Sequence, residues 1–177
     1  MKILIPLAAA ALLAACQSAS TSMSTPEEPA RATAALQPTK GSKAFGEATF
    51  EQVGDKVRVI VFAQGLKPEA EHGFHIHEAG DCSSGDGMSA KGHFNPHAKP
   101  HGDPKSAERH AGDLPALKAG KDGRAKIDVT VDAISIGQGD GNIVGRGLIV
   151  HADPDDYKTQ PTGNAGARSA CAIIQRS

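Results

Sequence analysis

An all-β domain of seven or eight short antiparallel strands, closed into a barrel or a sandwich, is the fold class this sequence predicts. Three observations carry that prediction. The 177 residues include 20 glycines and 11 prolines, which suit many turns rather than a helical bundle. Apolar residues alternate with period two, most clearly at Val57, Val59, Val61 and Ala63. Beyond the N-terminal leader, no helical period of useful length is present. The length fits one domain, at roughly 100–200 residues per domain.

Taken in order, the chain begins with a short charged start at Met1 and Lys2, followed by an apolar run from Ile3 to Ala15 broken by Pro6. That run is shorter than the roughly 20 residues a spanning helix needs. It matches the apolar region of a secretory signal peptide. It closes on Leu13-Ala14-Ala15-Cys16, which resembles the bacterial lipobox, where the cysteine is lipidated and becomes the new N-terminus. Residues 1–15 are therefore expected to be a signal peptide. Residues 16–42, rich in Ser, Thr, Ala and Pro, are expected to be a flexible tether held to a membrane by acyl chains on Cys16. The expected location is the bacterial periplasm or cell envelope. Cys82 and Cys171 remain, and two cysteines in an exported domain are expected to pair as a disulfide.

The folded domain is expected over residues 43–177. Ala48 and Phe50 share one face of a first strand, and Val53-Gly54-Asp55-Lys56 reads as a hairpin turn into a second strand at 57–63. Gly73-Phe74-His75-Ile76-His77 is a third strand. Further strands are expected at 112–116, 125–131, 147–151 and 170–175, with a turn at Lys121-Asp122-Gly123-Arg124. Two long loops remain, 78–111 and 152–169. Loops beyond about 12–15 residues in a compact domain are usually functional or disordered. These loops carry histidines, which favours function.

Composition excludes some partners. The formal net charge is −1 and the pI about 6.7, so there is no basic footprint for nucleic acid. Five Phe, one Tyr and no Trp leave few platforms on which bases could stack.

The eight histidines are the informative residues. His75 and His77 stand at i and i+2, which on a strand places both on one face about 6.6 Å apart. His93, His101, His110 and Asp113 follow in a Gly/Pro-rich stretch, and His151 ends the Leu148-Ile149-Val150 run. Three neutral imidazoles and a carboxylate suit tetrahedral zinc. Imidazole also suits copper, which by the Irving–Williams order binds nitrogen more tightly than zinc. Six histidines and one aspartate suffice for two sites if one histidine serves both.

Five stretches, in this order, are Gly73–Glu78, Gly92-His93-Phe94-Asn95-Pro96, Glu108–Leu114, Gly147–His151 and Gly163-Asn164-Ala165-Gly166-Ala167-Arg168-Ser169-Ala170-Cys171. On them the chain resembles the copper–zinc superoxide dismutases, in the bacterial exported type, from about residue 43 to its end. The resemblance implies an eight-stranded Greek-key β-barrel with two long functional loops. It implies copper on His75, His77, His93 and His151, and zinc on His93, His101, His110 and Asp113, with His93 bridging the two metals as ligand and proton carrier. It implies that Arg168 orients the substrate anion, superoxide, and that a disulfide joins Cys82 to Cys171. Asp155 would accept hydrogen bonds from His75 and His101. The implied reaction is disproportionation of superoxide to O₂ and H₂O₂ by a cycling copper ion, with zinc organising the site. The rival reading is an exported copper- or zinc-binding protein on the same fold without dismutase activity. The stretch between Asp156 and Gly163 is shorter than the guiding loop of the animal enzymes, so steering charge is expected from Lys91 or Lys158. His72 and His97 match no ligand position and are read as surface histidines. A homodimer is left open.

Overall fold

The computed structural model describes residues 28–177. The expected signal peptide and the lipidation residue Cys16 lie outside them. Ten strand segments follow one another: β1 (Arg31–Pro38), β2 (Phe45–Val53), β3 (Lys56–Gln64), β4 (Glu71–His72), β5 (Phe74–His77), β6 (Leu117–Lys118), β7 (Ala125–Val131), β8 (Gly147–His151), β9 (Arg168–Ile173) and β10 (Gln175–Arg176). Eight of them form one curled antiparallel sheet, ordered β5-β8-β9-β1-β2-β3-β7 with β10 also on β1. β4 and β6 form a separate two-stranded pair. The crossovers from β7 to β8 and from β3 to β5 give the all-β, Greek-key-like path that the resemblance implied.

Local chemistry sets the regular part. β2 and β3 pair with Val53 opposite Lys56, so the hairpin turn is Gly54-Asp55. Gly54 supplies the positive φ of 61° that such a two-residue turn needs. Val57, Val59, Val61 and Ala63 point inward and are essentially buried, while Lys56, Arg58 and Phe62 point outward. The inner face meets Phe50 of β2, Phe74 and Ile76 of β5, and Leu148 and Val150 of β8 in one hydrophobic core.

Two expectations are corrected. Residues 31–38, expected within the tether, form β1, which lies between β9 and β2 in the sheet. Ala32, Ala34 and Leu36 alternate with Arg31, Thr33 and Ala35, and all three are buried. Alanines carry little hydropathy, so this alternation is faint in sequence although it fits a close-packed centre. The domain therefore starts before residue 43. Residues 112–116, expected as a strand, do not form one. Asp113 makes an isolated bridge with His75, and regular pairing appears only at β6. The Asp113 carboxylate accepts the backbone N–H groups of His110 (2.9 Å) and Gly102 (3.1 Å), which curls the chain, and Pro115 has no N–H to offer a ladder.

Candidate metal centre

β5 is the platform of the site. Phe74 and Ile76 face the core, so His75 and His77 face the other way, and all four are fully buried. β8 covers one edge of β5, with Phe74 opposite Val150 and His77 opposite Gly147. The other edge is covered by the first long loop. The Ile76 N–H donates to the Gly112 carbonyl, Phe94 N–H to Ile76, and Glu78 N–H to Gly92, at 2.8–2.9 Å. The backbone groups that β5 would otherwise expose thus draw in the loop segments carrying His93, His110 and Asp113. His151 enters from the end of β8.

This brings the seven sequence-predicted donors into two groups that share His93. In each group, His75, His77, His93 and His151, or His93, His101, His110 and Asp113, one donor atom per residue lies within 4.8 Å of the others. All seven side chains belong to buried residues. Asp113 Oδ1 stands 2.9 Å from His93 Nδ1, 3.0 Å from His101 Nδ1 and 3.5 Å from His110 Nδ1.

The second nitrogen of each ring decides which atom remains for a metal. His75 Nε2 donates to Asp155 Oδ2 at 2.7 Å, which leaves Nδ1. His77 Nδ1 donates to the Lys91 carbonyl at 2.8 Å, which leaves Nε2. His93 Nδ1 faces Asp113, which leaves Nε2 toward the first group. His151 Nδ1 faces the Gly166 carbonyl at 3.3 Å. Its Nε2 lies 3.4 Å from His77 Nε2, a contact between two lone pairs unless a proton or cation sits between them. His75 Nδ1, His93 Nε2 and His110 Nδ1 are buried with no hydrogen-bond partner. Buried polar nitrogens without partners are costly. Clustered imidazole nitrogens of this kind fit a metal ion in each group.

Electrostatics prepare the same outcome. Burial lowers the pKa of His93 to about 4, and that of His151 to about 3. His77 is also held well below its ordinary value, by burial first and then by the charges of His93 and Arg168. These rings are therefore neutral near pH 7, the form that ligates. His101 differs. Burial works against its cation, but hydrogen bonds to Asp113 and Asp155 outweigh it and push it up to about 9. Burial likewise opposes the two carboxylates, yet the histidine contacts win and hold both far below the usual range.

Asp155 connects the groups: its Oδ2 accepts from His75, its Oδ1 from His101 Nε2 at 2.9 Å and from the Tyr157 N–H at 2.7 Å. Arg168 lies at the start of β9, half-buried, and its guanidinium donates to the carbonyls of Gly87 and Lys91. A disulfide joins Cys82 to Cys171 and ties the first long loop to β9. His97 is exposed.

His72 corrects the sequence reading. It is 2% exposed, not a surface residue. Its Nδ1 lies 2.8 Å from the carbonyl of His151, so it supports the backbone of a donor. Its pairing with Leu117 across β4 and β6 buries it, and that long-range register leaves no signal in the sequence. The Lys91 carbonyl was also missed, because a backbone acceptor has no side-chain signature.

Comparison with known proteins gives one consistent result. The family model for copper/zinc superoxide dismutase matches residues 44–174. A superoxide dismutase [Cu-Zn] of Paramecium bursaria Chlorella virus 1 is 44% identical over 154 residues, covering 83% of this chain and 79% of the relative. Superoxide dismutase [Cu-Zn] 2 of Aquifex aeolicus is 39% identical over 149 residues, covering 82% and 86%. The crystal structure of the clock protein EA4 superposes with a TM-score of 0.76 at 41% identity, covering 83% of this chain and 94% of that one.

Proposed function

The chain belongs to the copper/zinc superoxide dismutase family and disproportionates superoxide, and we propose that His75, His77, His93 and His151 hold its copper while His93, His101, His110 and Asp113 hold its zinc. The single observation that supports this division is the pair of buried donor groups sharing His93. Copper supplies one-electron exchange with superoxide, yielding O₂ in one half-reaction and, with two protons, H₂O₂ in the other, whereas zinc has no redox chemistry.

The chain's own residues do the rest. Arg168 presents a planar, permanently charged guanidinium to the anion, and its anchoring to two carbonyls fixes the direction of that charge. His93 faces both groups, so its Nε2 is the atom that takes a proton when it is not ligating and gives it to the reduced product. Asp155 orients His75 and His101 and the Lys91 carbonyl orients His77, so His75 and His77 offer their lone pairs inward, and His101 does so once zinc displaces its proton. The buried surroundings keep bulk water from competing for those lone pairs.

The test is superoxide decay with the protein loaded with copper and zinc. Fast decay that vanishes on removing copper and only weakens on removing zinc supports the assignment. Bound metals without catalysis would promote the exported metal-binding reading instead.

The same proposal places the protein on a bacterial membrane, facing the periplasm, through a lipid on Cys16. What supports it is the apolar leader ending in Leu13-Ala14-Ala15-Cys16, together with a disulfide-bonded domain. In a bacterial host the wild-type chain should fractionate with membranes and Cys16→Ser should not. Equal fractionation of the two would remove the anchor from the account.

A further inference from the structure

His101 differs from the other six donors in what holds its main chain. His75 and His77 lie on β5, and His151 on β8. His93 and Asp113 form isolated bridges with His77 and His75. The His110 carbonyl accepts the Asp113 N–H at 3.3 Å, which closes a short turn between two donors. His101 follows Pro100 in the first long loop and joins no strand or bridge. Its residue is 3% exposed, so its backbone groups need partners inside the protein.

One side chain from the other long loop takes both. The His101 N–H donates to Gln160 Oε1 at 2.8 Å, and Gln160 Nε2 donates to the His101 carbonyl at 2.8 Å. A reversed amide would set donor against donor and acceptor against acceptor, so this orientation is the one that makes both bonds. Gln160 is otherwise exposed, so packing does not account for a glutamine there; the two amide bonds do. A turn that closes on itself carries the residue. Asp156 Oδ1 accepts the N–H groups of Lys158 and Thr159 at 2.9 and 2.8 Å, and its Oδ2 accepts the Thr159 hydroxyl at 2.6 Å. The Asp156 N–H donates to the Gly163 carbonyl at 2.9 Å, and the Gly163 N–H to that of Thr159 at 2.7 Å. At Gly163, where φ is 65°, a Cβ would lie 1.8 Å from Asp155 Oδ1 and 2.6 Å from His101 Nε2. The loop backbone therefore lies directly against the hydrogen bond between Asp155 and the His101 ring.

We propose that Gln160 is a positioning residue of the second donor group: by bracketing the main chain of His101 it fixes where that ring stands relative to His93, His110 and Asp113, and so how firmly the group retains zinc. This rests on the zinc reading given above. Donors must be held within about 0.5 Å of the productive geometry, and the bracket supplies this for a histidine whose loop has no ladder. The second long loop thus holds His101 twice, by Asp155 at the ring and by Gln160 at the backbone. The Gln160 amide bonds only His101 and, at 3.4 Å, the Lys158 carbonyl, so its effect belongs to zinc and not to copper.

The test uses the full chain and two variants. Gln160→Met keeps the length of the side chain and removes both amide bonds. Thr159→Val removes a hydrogen bond inside the same turn and leaves His101 untouched. Zinc affinity is measured by competition with a chelator, and copper affinity likewise with zinc held saturating. Co²⁺ is then placed in the zinc position, where its visible absorption reports the geometry of the donors. Gln160→Met should weaken zinc binding by about tenfold, the low end for loss of a group that orients a ligand, and should alter the Co²⁺ bands. Its copper affinity should stay within about twofold of the parent. Thr159→Val should match the parent in all three. Parental zinc affinity and Co²⁺ bands in Gln160→Met would overturn the proposal. Equal losses of zinc and copper affinity, or the same zinc loss in Thr159→Val, would also overturn it, since the loop would then act only through general stability. A parent that gives no tetrahedral Co²⁺ spectrum would overturn the zinc reading itself and the proposal with it, a failure visible before any variant is compared.

Discussion

At the scale of single residues, the site is governed by what each imidazole does with its second nitrogen. Asp155 is the clearest case, since one carboxylate orients a donor from each group. Asp155→Asn keeps the shape but offers an amide nitrogen where a carboxylate oxygen accepted, so it cannot accept from both rings. Metal affinity should fall by about 10- to 100-fold, as losses of such partners typically do, and competition with a chelator would measure it. His101 makes a second prediction. In the metal-free protein it is pushed up to about 9, so it is protonated at pH 7 and zinc must displace that proton. Apparent zinc affinity should rise with pH up to about 9 and then level off. The sign for the fold itself is opposite. A histidine with a raised pKa contributes stability that is fully present below its unfolded value near 6.5 and lost as pH rises through about 9. Tm of the metal-free protein should therefore fall over the same pH range in which zinc binding strengthens. Zinc affinity that is flat between pH 6.5 and 9 would contradict the protonated state of His101.

At the scale of elements, β1 matters most and was the hardest to read. It pairs with β2 through Arg31–Leu36, with β9 through Gln37 and Pro38, and with β10 through Ala32 and Thr33. Its end also touches the site's supports: Thr39 Oγ1 donates to the Arg168 carbonyl at 2.6 Å, and the Lys40 N–H donates to Gly85 at 2.7 Å. A chain starting at residue 41 should therefore fail to fold, because β2 and β9 would both present unpaired edges and the core would lose Ala32, Ala34 and Leu36. A chain starting at residue 28 should retain a cooperative thermal transition. Circular dichroism of the two fragments distinguishes them. A stable fragment 41–177 would mean that β1 is an accessory strand. The β2–β3 hairpin was legible for the opposite reason: valines at period two and a Gly-Asp turn write its register locally.

At the scale of the whole molecule, the donors come from β5, β8 and the first long loop, and the disulfide ties that loop to β9. Metal binding therefore joins parts of the chain that lie far apart in sequence. At a thousandfold excess over Kd, a ligand that binds only the folded state contributes about 4 kcal/mol. For a domain of this size that raises Tm by about 8–16 °C. The Cys82–Cys171 bond closes a loop of 89 residues, for which chain entropy suggests at most about 4–5 kcal/mol. Scanning calorimetry should rank the forms in order: metal-loaded and oxidised highest, metal-free and reduced lowest, the two mixed forms between. Identical Tm values with and without metals would mean that the donor groups do not hold ions in solution.

The sequence by itself determined the chemistry of this protein. Donor identity is a property of residue types, and His75 with His77, the Gly92–Pro96 and Glu108–Leu114 stretches and His151 carry their meaning wherever the chain places them. Strands with strong valine alternation and glycine turns were equally legible, because side-chain direction repeats every two residues. Tertiary structure alone decided the rest. Ala32, Ala34 and Leu36 became a strand at the middle of the sheet because residues 31–36 pair with β2 while Ala32 and Thr33 pair with β10 and Gln37 and Pro38 with β9. Residues 112–116 curled because the Asp113 carboxylate took backbone donors that a ladder would have used. His72 was buried by a pairing with Leu117, made across distant parts of the chain. Local pattern specifies which face a side chain takes; only the register between remote segments specifies what that face will meet.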